Sequence, residues 1–222
     1  MPTQTENGFG QYCRVGVARR AQREAVEYVR RAAYHQAAEF DWNDANTLAW
    51  SAADDAGVVL ALWDEHGVLL STLRASVFTR STAAEAFLEY SLVGVNVPVP
   101  TLVLSRAATL PGEAQHGLFA LMRFAYLSAL GSTPIGSVIA VVYEDGPRLG
   151  AMRAAGYEFF KPRAGWDTEA VALTQPLLAV LLRPRFERAL GTARAAAAHR
   201  LAAADVENES ISGALRLCCS RD

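Results

Sequence analysis

The chain has 222 residues, enough for one large domain or two small ones, and it can enclose a sizeable apolar core. A formal net charge of -2 and a pI near 6.1 exclude the basic surface with which nucleic-acid-binding proteins neutralise phosphates. Cys13, Cys218 and Cys219 are spaced neither as a disulfide framework nor as a metal site. We therefore expect a cytoplasmic protein without a membrane span, because its apolar runs are also far shorter than a bilayer requires.

The first half of the chain predicts a strand, a helix and a hairpin. Residues 1–13 are polar and indicate a flexible leader, and a short strand is expected at 14–18. Apolar residues then recur at helical spacing through Phe40. The runs VVLALWD and VLLSTLRASVF flank a turn that contains Gly67, which is typical of a β-hairpin.

The second half alternates strands and helices. A short helix is expected at 81–92, then a strand that ends at Leu110 and a helix over 117–130. GSVIAVVY reads as a buried strand, and a short helix ends at Gly156. The remaining elements are predicted as strands near 157–161 and 168–174, a helical extension over 176–205 that breaks near Pro184, and a disordered tail over 206–222. This order predicts a mixed α/β domain over 14–175.

The stretch TLVLSRAATLPGEAQHGLFALMRFAY carries the chemical signal of the sequence. A strand passes through a Pro-Gly turn directly into an almost wholly apolar helix. With the element order, this stretch resembles the GNAT superfamily of acyltransferases, which have a mostly antiparallel central sheet with flanking helices. The resemblance implies that the turn grips the phosphopantetheine or pyrophosphate of an acyl carrier, since free N–H groups at a helix N-terminus attract anions.

Further motifs resemble the branch of acyl-homoserine-lactone autoinducer synthases and long-chain N-acyl amino acid synthases. They are Arg31 with Tyr34, the Asp54-Asp55 pair, WDEHGVLLSTLR and LSRAATL, in that order over residues 14–175. The resemblance implies substrate contacts and a donor site. The substrate-binding candidates are Arg74, Arg106, Asp54, Arg31 and Tyr34, and the donor-binding candidates are Ser105, Ala107, Leu110, Gly112, Gln115, His116 and Gly117.

Three residues are candidates for acid–base catalysis: Glu144 and Tyr143 at the end of a buried strand, and Asp55. Strand alternation predicts that Ser105 and Arg106 point to opposite faces of the sheet. Arg106 is expected either to contact substrate or to form a structural ion pair, and Arg74 either to hold a carboxylate or to face solvent.

The chain also departs from the families it resembles. Val103 stands where autoinducer synthases carry a glutamate, and Met152 where many GNAT enzymes place the tyrosine that protonates the departing thiolate. Gln115 and Gly117 have a shifted spacing relative to the usual carrier loop.

The sequence therefore predicts an N-acyltransferase that moves an acyl group from acyl-CoA or an acyl carrier protein to an amine or amino acid. No permanent cofactor and no metal are expected. A non-catalytic acyl-carrier or ligand-binding module and a small-amine acetyltransferase that uses acetyl-CoA remain alternatives. Arginines of the first helix together with Arg183, Arg185 and Arg188 form either a docking surface for an acidic carrier protein or solvated helix faces.

Overall fold

One eight-stranded sheet organises residues 12–36, 48–113, 117–144, 146, 148–161 and 176–220, which the computed structural model describes. The strands are β1 (Cys13–Val17), β2 (Val58–Asp64), β3 (Leu69–Phe78), β4 (Thr101–Thr109), β5 (Ser137–Tyr143), β6 (Glu158–Phe160), β7 (Pro176–Leu182) and β8 (Ala204–Val206). Their order in the sheet is β6-β7-β5-β4-β3-β2-β1-β8. Only β1 with β8 and β4 with β5 pair in parallel, so the predicted mixed, mostly antiparallel sheet is confirmed.

The predicted hairpin is confirmed as β2 and β3, whose side chains are mostly buried. Its turn is closed by the Asp64 carboxylate, which accepts hydrogen bonds from the backbone N–H groups of His66 and Val68. Gly67 has a φ of 79°, a conformation that side-chain-bearing residues rarely adopt. Local turn chemistry thus fixes the register of the two central strands.

Helices cover both faces of the sheet. They are α1 (Arg23–Gln36), α2 (Ala52–Ala56), α3 (Ser81–Leu88), α4 (Leu118–Leu130), α5 (Leu149–Ala155), α6 (Phe186–Leu201) and α7 (Asn208–Cys219). On one face, α4, α5, α6 and α7 share a core with residues such as Leu60 and Leu73. On the other face, α1 packs on Val59 and Ala61, and the α3 region packs on Val103.

The predicted helical extension is wrong at its start. Pro176–Leu182 forms β7, which pairs with β5 along the full length of both strands. A run of seven apolar residues is compatible with a strand buried on both faces and also with a segment of helix. Only pairing with a neighbouring strand distinguishes the two. The helix begins at Phe186 instead, after a 3₁₀ turn that contains the predicted break at Pro184. The strand predicted over 168–174 lies outside the described residues.

The prediction of a disordered tail over 206–222 is also wrong for residues 206–220, and 221–222 lie outside the described residues. Val206 lies in β8, which pairs in parallel with β1, and α7 follows with Ile211, Leu215 and Cys218 buried. Their spacing of four and three residues places them on one apolar face of a helix. The small and polar residues between them make the overall composition of the segment resemble that of a disordered tail. The structured part of the chain therefore continues well beyond residue 175. No helix of the described residues has the length and apolar character that a membrane crossing requires.

We predict that Leu215→Ala lowers the free energy of unfolding by about 2–5 kcal/mol, because it leaves a cavity where α7 meets the sheet. The matched control is Leu217→Ala on the same helix, whose side chain is 62% exposed and whose loss costs less than about 0.5 kcal/mol. Urea denaturation measures both. Equal, small effects would contradict the packing of α7 as a structural element.

Candidate active site

The site begins where β4 and β5 separate. The two strands pair in parallel from Thr101 with Ser137 to Leu104 with Ala140, and no pair follows. Beyond this point β4 continues alongside β3, and β5 continues alongside β7. Backbone groups that face the gap are thus left without strand partners, and one carbonyl, that of Ala107, accepts a hydrogen bond of 3.0 Å from Arg148.

A bulge in β4 produces the separation. Arg74 pairs with Ser105 and Thr72 pairs with Ala108, so Arg106 and Ala107 together oppose the single residue between the two β3 positions. Arg106 has a φ of 49°, in the left-handed region. The extra residue breaks the alternation that predicted opposite faces for Ser105 and Arg106. Ser105 accepts a hydrogen bond from Arg74, and Arg106 lies within range of the charges of Arg30 and Asp54, so both residues adjoin one group of charged side chains. The prediction that they point to opposite faces is therefore wrong.

The gap holds a cleft of about 90 Å³ that reaches both faces of the sheet. Tyr34 of α1 lies at one end, and residues of α4 and α5 form the other. None of the described residues that line it is a carboxylate or an imidazole, whereas three are arginines. The lining consists of Tyr34, Leu73, Leu104, Ser105, Arg106, Ala107, Phe119, Arg123, Tyr126, Ala140, Val141, Val142, Arg148 and Met152.

A buried ion pair supports the α1 side of the cleft. Arg30 donates to the two carboxylate oxygens of Asp54 at 2.5 and 3.2 Å, and both side chains are fully enclosed. Asp54 also accepts from the backbone N–H and the hydroxyl of Ser51, at 2.8 and 3.0 Å. Arg74 donates from Nε to the Ser105 hydroxyl at 2.9 Å and lies 4.0 Å from Asp54. The Asp54 carboxylate is therefore shared by two guanidiniums, those of Arg30 and Arg74.

The electrostatics of this cluster show an excess of positive charge. Burial and then the charge of Arg106 lower the pKa of Arg74 to about 10. Burial and then the charge of Arg30 lower the pKa of Arg106. Nη1 of Arg106 is buried and has no hydrogen-bond partner among the described residues. Because uncompensated buried charge is costly, an anion bound at Arg106 and Arg74 would relieve the cluster.

Aromatic rings and arginines form the opposite end of the cleft. The hydroxyls of Tyr126 and Tyr157 are 2.9 Å apart and buried. The Phe119 ring lies 5.5 Å from the Arg123 guanidinium carbon and 4.2 Å from that of Arg148. Burial raises the pKa of Tyr126, and the charge of Arg123 opposes this effect. Cationic and phenolic groups thus lie on the side of the gap that α4 and α5 cover.

The predicted residues divide into two sets. Ser105, Arg106, Ala107 and Tyr34 line the cleft, and Arg74 and Asp54 lie in the cluster beside it. Leu110, Gly112 and Gly117 follow along the turn to α4, where an ideal Cβ on Gly117 would lie 3.0 Å from His199 Cε1 of α6. Gln115 and His116 lie outside the described residues, so their assignment stays a prediction.

Four further predicted residues lie neither in the cleft lining nor in the cluster around Asp54. Arg31 pairs with Glu27 on α1. Asp55 is exposed, accepts from Trp50 Nε1 at 2.8 Å and lies 3.6 Å from Arg20. Tyr143 and the exposed Glu144 follow Val142, the last β5 residue of the lining. The catalytic assignments of Asp55, Tyr143 and Glu144 stay predictions.

Sequence reasoning missed Arg30, Arg123, Tyr126 and Arg148. Two had a signal: Arg30 follows Val29 on the apolar stripe of α1, and Arg123 is the only charged residue in LFALMRFAYLSAL. A charge in an apolar pattern indicates a buried, partnered or functional group.

The arginines proposed as a docking surface lie on separate elements. Val26 and Val29 of α1 and Phe186 of α6 belong to different apolar cores, and the docking surface stays a prediction. Arg183 donates to the carbonyls of Thr133 and Ile135, and Arg185 binds Glu158, so both have structural partners.

Solved structures share this fold, although no family model and no curated protein sequence matches the chain. A CoA-dependent acyl-homoserine lactone synthase, BjaI, with SAM and isopentyl-CoA, is 14% identical with a TM-score of 0.61, over 94% of this chain and 100% of that one. The chain has the fold of the GNAT acyltransferases. FeeM, an N-acyl amino acid synthase from uncultured soil microbes, is 12% identical with a TM-score of 0.53, over 82% and 98%. The ribosomal-protein-S18-alanine N-acetyltransferase of Escherichia coli is 12% identical with a TM-score of 0.54, over 77% and 93%. The predicted resemblance is confirmed in structure.

We predict that Asp54→Asn lowers the free energy of unfolding by about 3–5 kcal/mol, because Arg30 would keep a buried charge without a counter-ion. Burial raises the pKa of Asp54, but the hydrogen bonds and charge of Arg30 bring it below its ordinary value of 3.8. The carboxylate therefore stabilises the fold above that pH, and this stability is lost as the pH falls through the lowered folded-state pKa.

Urea denaturation between pH 7 and pH 2 measures the effect. The control is Asp55→Asn, which changes an exposed neighbour and leaves the stability within about 0.5 kcal/mol of wild type. If the Asp54 variant kept the acid-dependent loss of the wild type in full, the loss would come from other carboxylates.

Proposed function

We propose that this protein is an N-acyltransferase that moves an acyl group from a phosphopantetheine thioester to the amine of an acceptor that also carries a carboxylate. The observation that carries the proposal is the gap between β4 and β5, which opens a cleft to both faces of the sheet. Two reactants can meet there from opposite sides, and holding them in place supplies much of the rate enhancement of a bimolecular transfer.

The donor side is the face covered by α4 and α5. A phosphopantetheine arm would lie along the unpaired edges of β4 and β5, with its phosphates toward the turn that begins at Pro111. The thioester oxygen would take a backbone N–H of the bulged β4 segment, since that edge has no strand partner. A backbone N–H group that is already in position stabilises the oxyanion that develops when the amine attacks the thioester.

The acceptor side is the face covered by α1. Arg106 presents a buried Nη1 to which no described residue forms a hydrogen bond, and Arg74 is close by with a lowered pKa. Arginine forms paired hydrogen bonds with carboxylates, and a ligand carboxylate would compensate the excess charge around Asp54. An amino acid meets both requirements, because its amine lies close to its carboxylate.

The chemistry needs few protein groups. The amine must be neutral when it attacks, and no carboxylate or imidazole lines the described part of the cleft, so the proton leaves through water or a more distant base. No covalent enzyme intermediate is required. Positioning and electrostatic stabilisation then account for most of the catalysis.

The decisive experiment is intact-mass detection of products from acyl-CoA thioesters and acyl carrier proteins, each mixed with amino acids and amines. Turnover with one donor class identifies the carrier, and the product mass identifies the acceptor. Thioester binding without turnover for every pair would overturn the proposal and favour a non-catalytic ligand-binding module.

We predict that Arg106→Met raises the KM for an amino acid acceptor by roughly 10- to 100-fold, the value of a charge-assisted hydrogen bond. The matched control is the decarboxylated amine of the same amino acid, whose KM changes less than about 3-fold because it has no carboxylate. Initial-rate kinetics measure both. An equal rise in KM for both acceptors would show that Arg106 maintains the structure of the site and does not bind the acceptor carboxylate.

We predict that short acyl groups are transferred faster than long ones. The cleft has a volume of about 90 Å³, and at one end β4 and β5 are joined by pairing at Leu104 and Ala140. Acetyl to butanoyl donors are compared with decanoyl and longer donors by kcat/KM, and Leu73→Ala should shift the preference toward longer chains. A wild-type preference for long chains would show that the closed end opens on binding.

A further inference from the structure

A buried pair of hydroxyls lies on the donor side and has no part in the reaction described so far. Tyr126 lines the cleft, and its hydroxyl oxygen is 2.9 Å from that of Tyr157. Tyr126 and Tyr157 are only 2% and 5% exposed, so their contact is shielded from water. Tyr126 therefore brings a phenol to the cleft wall, and a second phenol holds its hydroxyl by a hydrogen bond.

Arg123 lies on the same wall, one helical turn before Tyr126. Its side chain lines the cleft, the residue is 5% exposed, and it contacts the Phe119 ring. No carboxylate of the described residues forms an ion pair with it. A buried guanidinium without a counter-ion favours any negative charge that develops beside it.

We infer that Tyr126 and Arg123 receive the departing thiolate, with Tyr126 as its proton donor. The inference rests on the proposed function, and it names the catalytic groups on the donor side. The acceptor approaches from the α1 face, where Arg106 and Tyr34 lie, so the leaving sulfur departs toward α4. Met152, at the position where many GNAT enzymes have the proton-donating tyrosine, also lines that wall. Its thioether carries no proton that could be transferred to sulfur.

The step balances as follows. The amine nitrogen forms a bond to the acyl carbon, and the carbon–sulfur bond breaks with its electron pair on sulfur. Sulfur takes the proton of the Tyr126 hydroxyl, and the phenolate is stabilised by the Arg123 charge until solvent that enters the cleft after product release returns a proton. The proton that the nitrogen loses passes to solvent, so thioester and amine become amide and thiol.

The test compares Tyr126→Phe with wild type on two donors that differ in one atom. They are the thioester and the selenoester of the same acyl group on the same pantetheine arm. A selenol is much more acidic than a thiol, so the selenolate leaves without protonation. We expect kcat to fall roughly 10²-fold with the thioester and less than about 3-fold with the selenoester.

The control variant is Tyr28→Phe, which removes the hydroxyl of a tyrosine that is 65% exposed on α1 and leaves both rates unchanged. Thermal unfolding of each variant checks the fold. A Tyr126→Phe variant that slows both donors equally, or neither, overturns the assignment, because a packing role does not depend on the acidity of the leaving group.

Arg123→Met is tested with the same two donors, and we expect kcat to fall more with the thioester than with the selenoester.

A further comparison uses succinyl and butanoyl thioesters of equal chain length. If wild type prefers the succinyl donor and Arg123→Met abolishes that preference, the anion at Arg123 is a carboxylate of the acyl group, and its assignment to the thiolate is overturned. A wild-type protein that transfers no acyl group from any donor fails the proposed function itself, which the donor panel shows beforehand.

Discussion

The bulge in β4 is the constraint on which the rest of the site depends. One additional residue, with Arg106 in the left-handed region, turns β4 away from β5 after Leu104 and Ala140. Backbone hydrogen bonds that a regular sheet would form are given up there, and the exposed edges become available to a ligand. The eight-stranded sheet and the helices on both faces hold this irregular point in place.

Charge is distributed unequally around the gap. On the α1 side a single buried carboxylate, Asp54, is shared by Arg30 and Arg74, with Arg106 nearby. On the α4 side Arg123 has a ring and a phenol as its neighbours. The Arg30–Asp54 pair compensates part of this buried positive charge. The positive charge that is left uncompensated suits a site whose ligands carry or develop negative charge at both ends.

Much of the fold could be predicted from local pattern. Apolar runs on either side of the Gly67 turn predicted the hairpin, and helical spacing predicted α1. The strand, turn and apolar helix of TLVLSRAATLPGEAQHGLFALMRFAY predicted β4 and α4. The errors came where pattern is ambiguous. The run Pro176–Leu182 is a strand because β5 is beside it, and α7 is ordered because the sheet offers it an apolar surface.

The sequence by itself determined the element order, the Pro-Gly turn into an apolar helix, and most residues of the α1-side cluster, including Arg74, Asp54, Ser105 and Arg106. Residue types and short-range spacing are sufficient for these. The tertiary structure alone decided that Arg30 pairs with Asp54 across 24 positions, and that Tyr126 meets Tyr157 across 31. It also decided that Asp55 faces solvent beside the buried Asp54. The physical reason is that burial and pairing across long sequence separations depend on which surfaces pack together, and no local pattern specifies that packing.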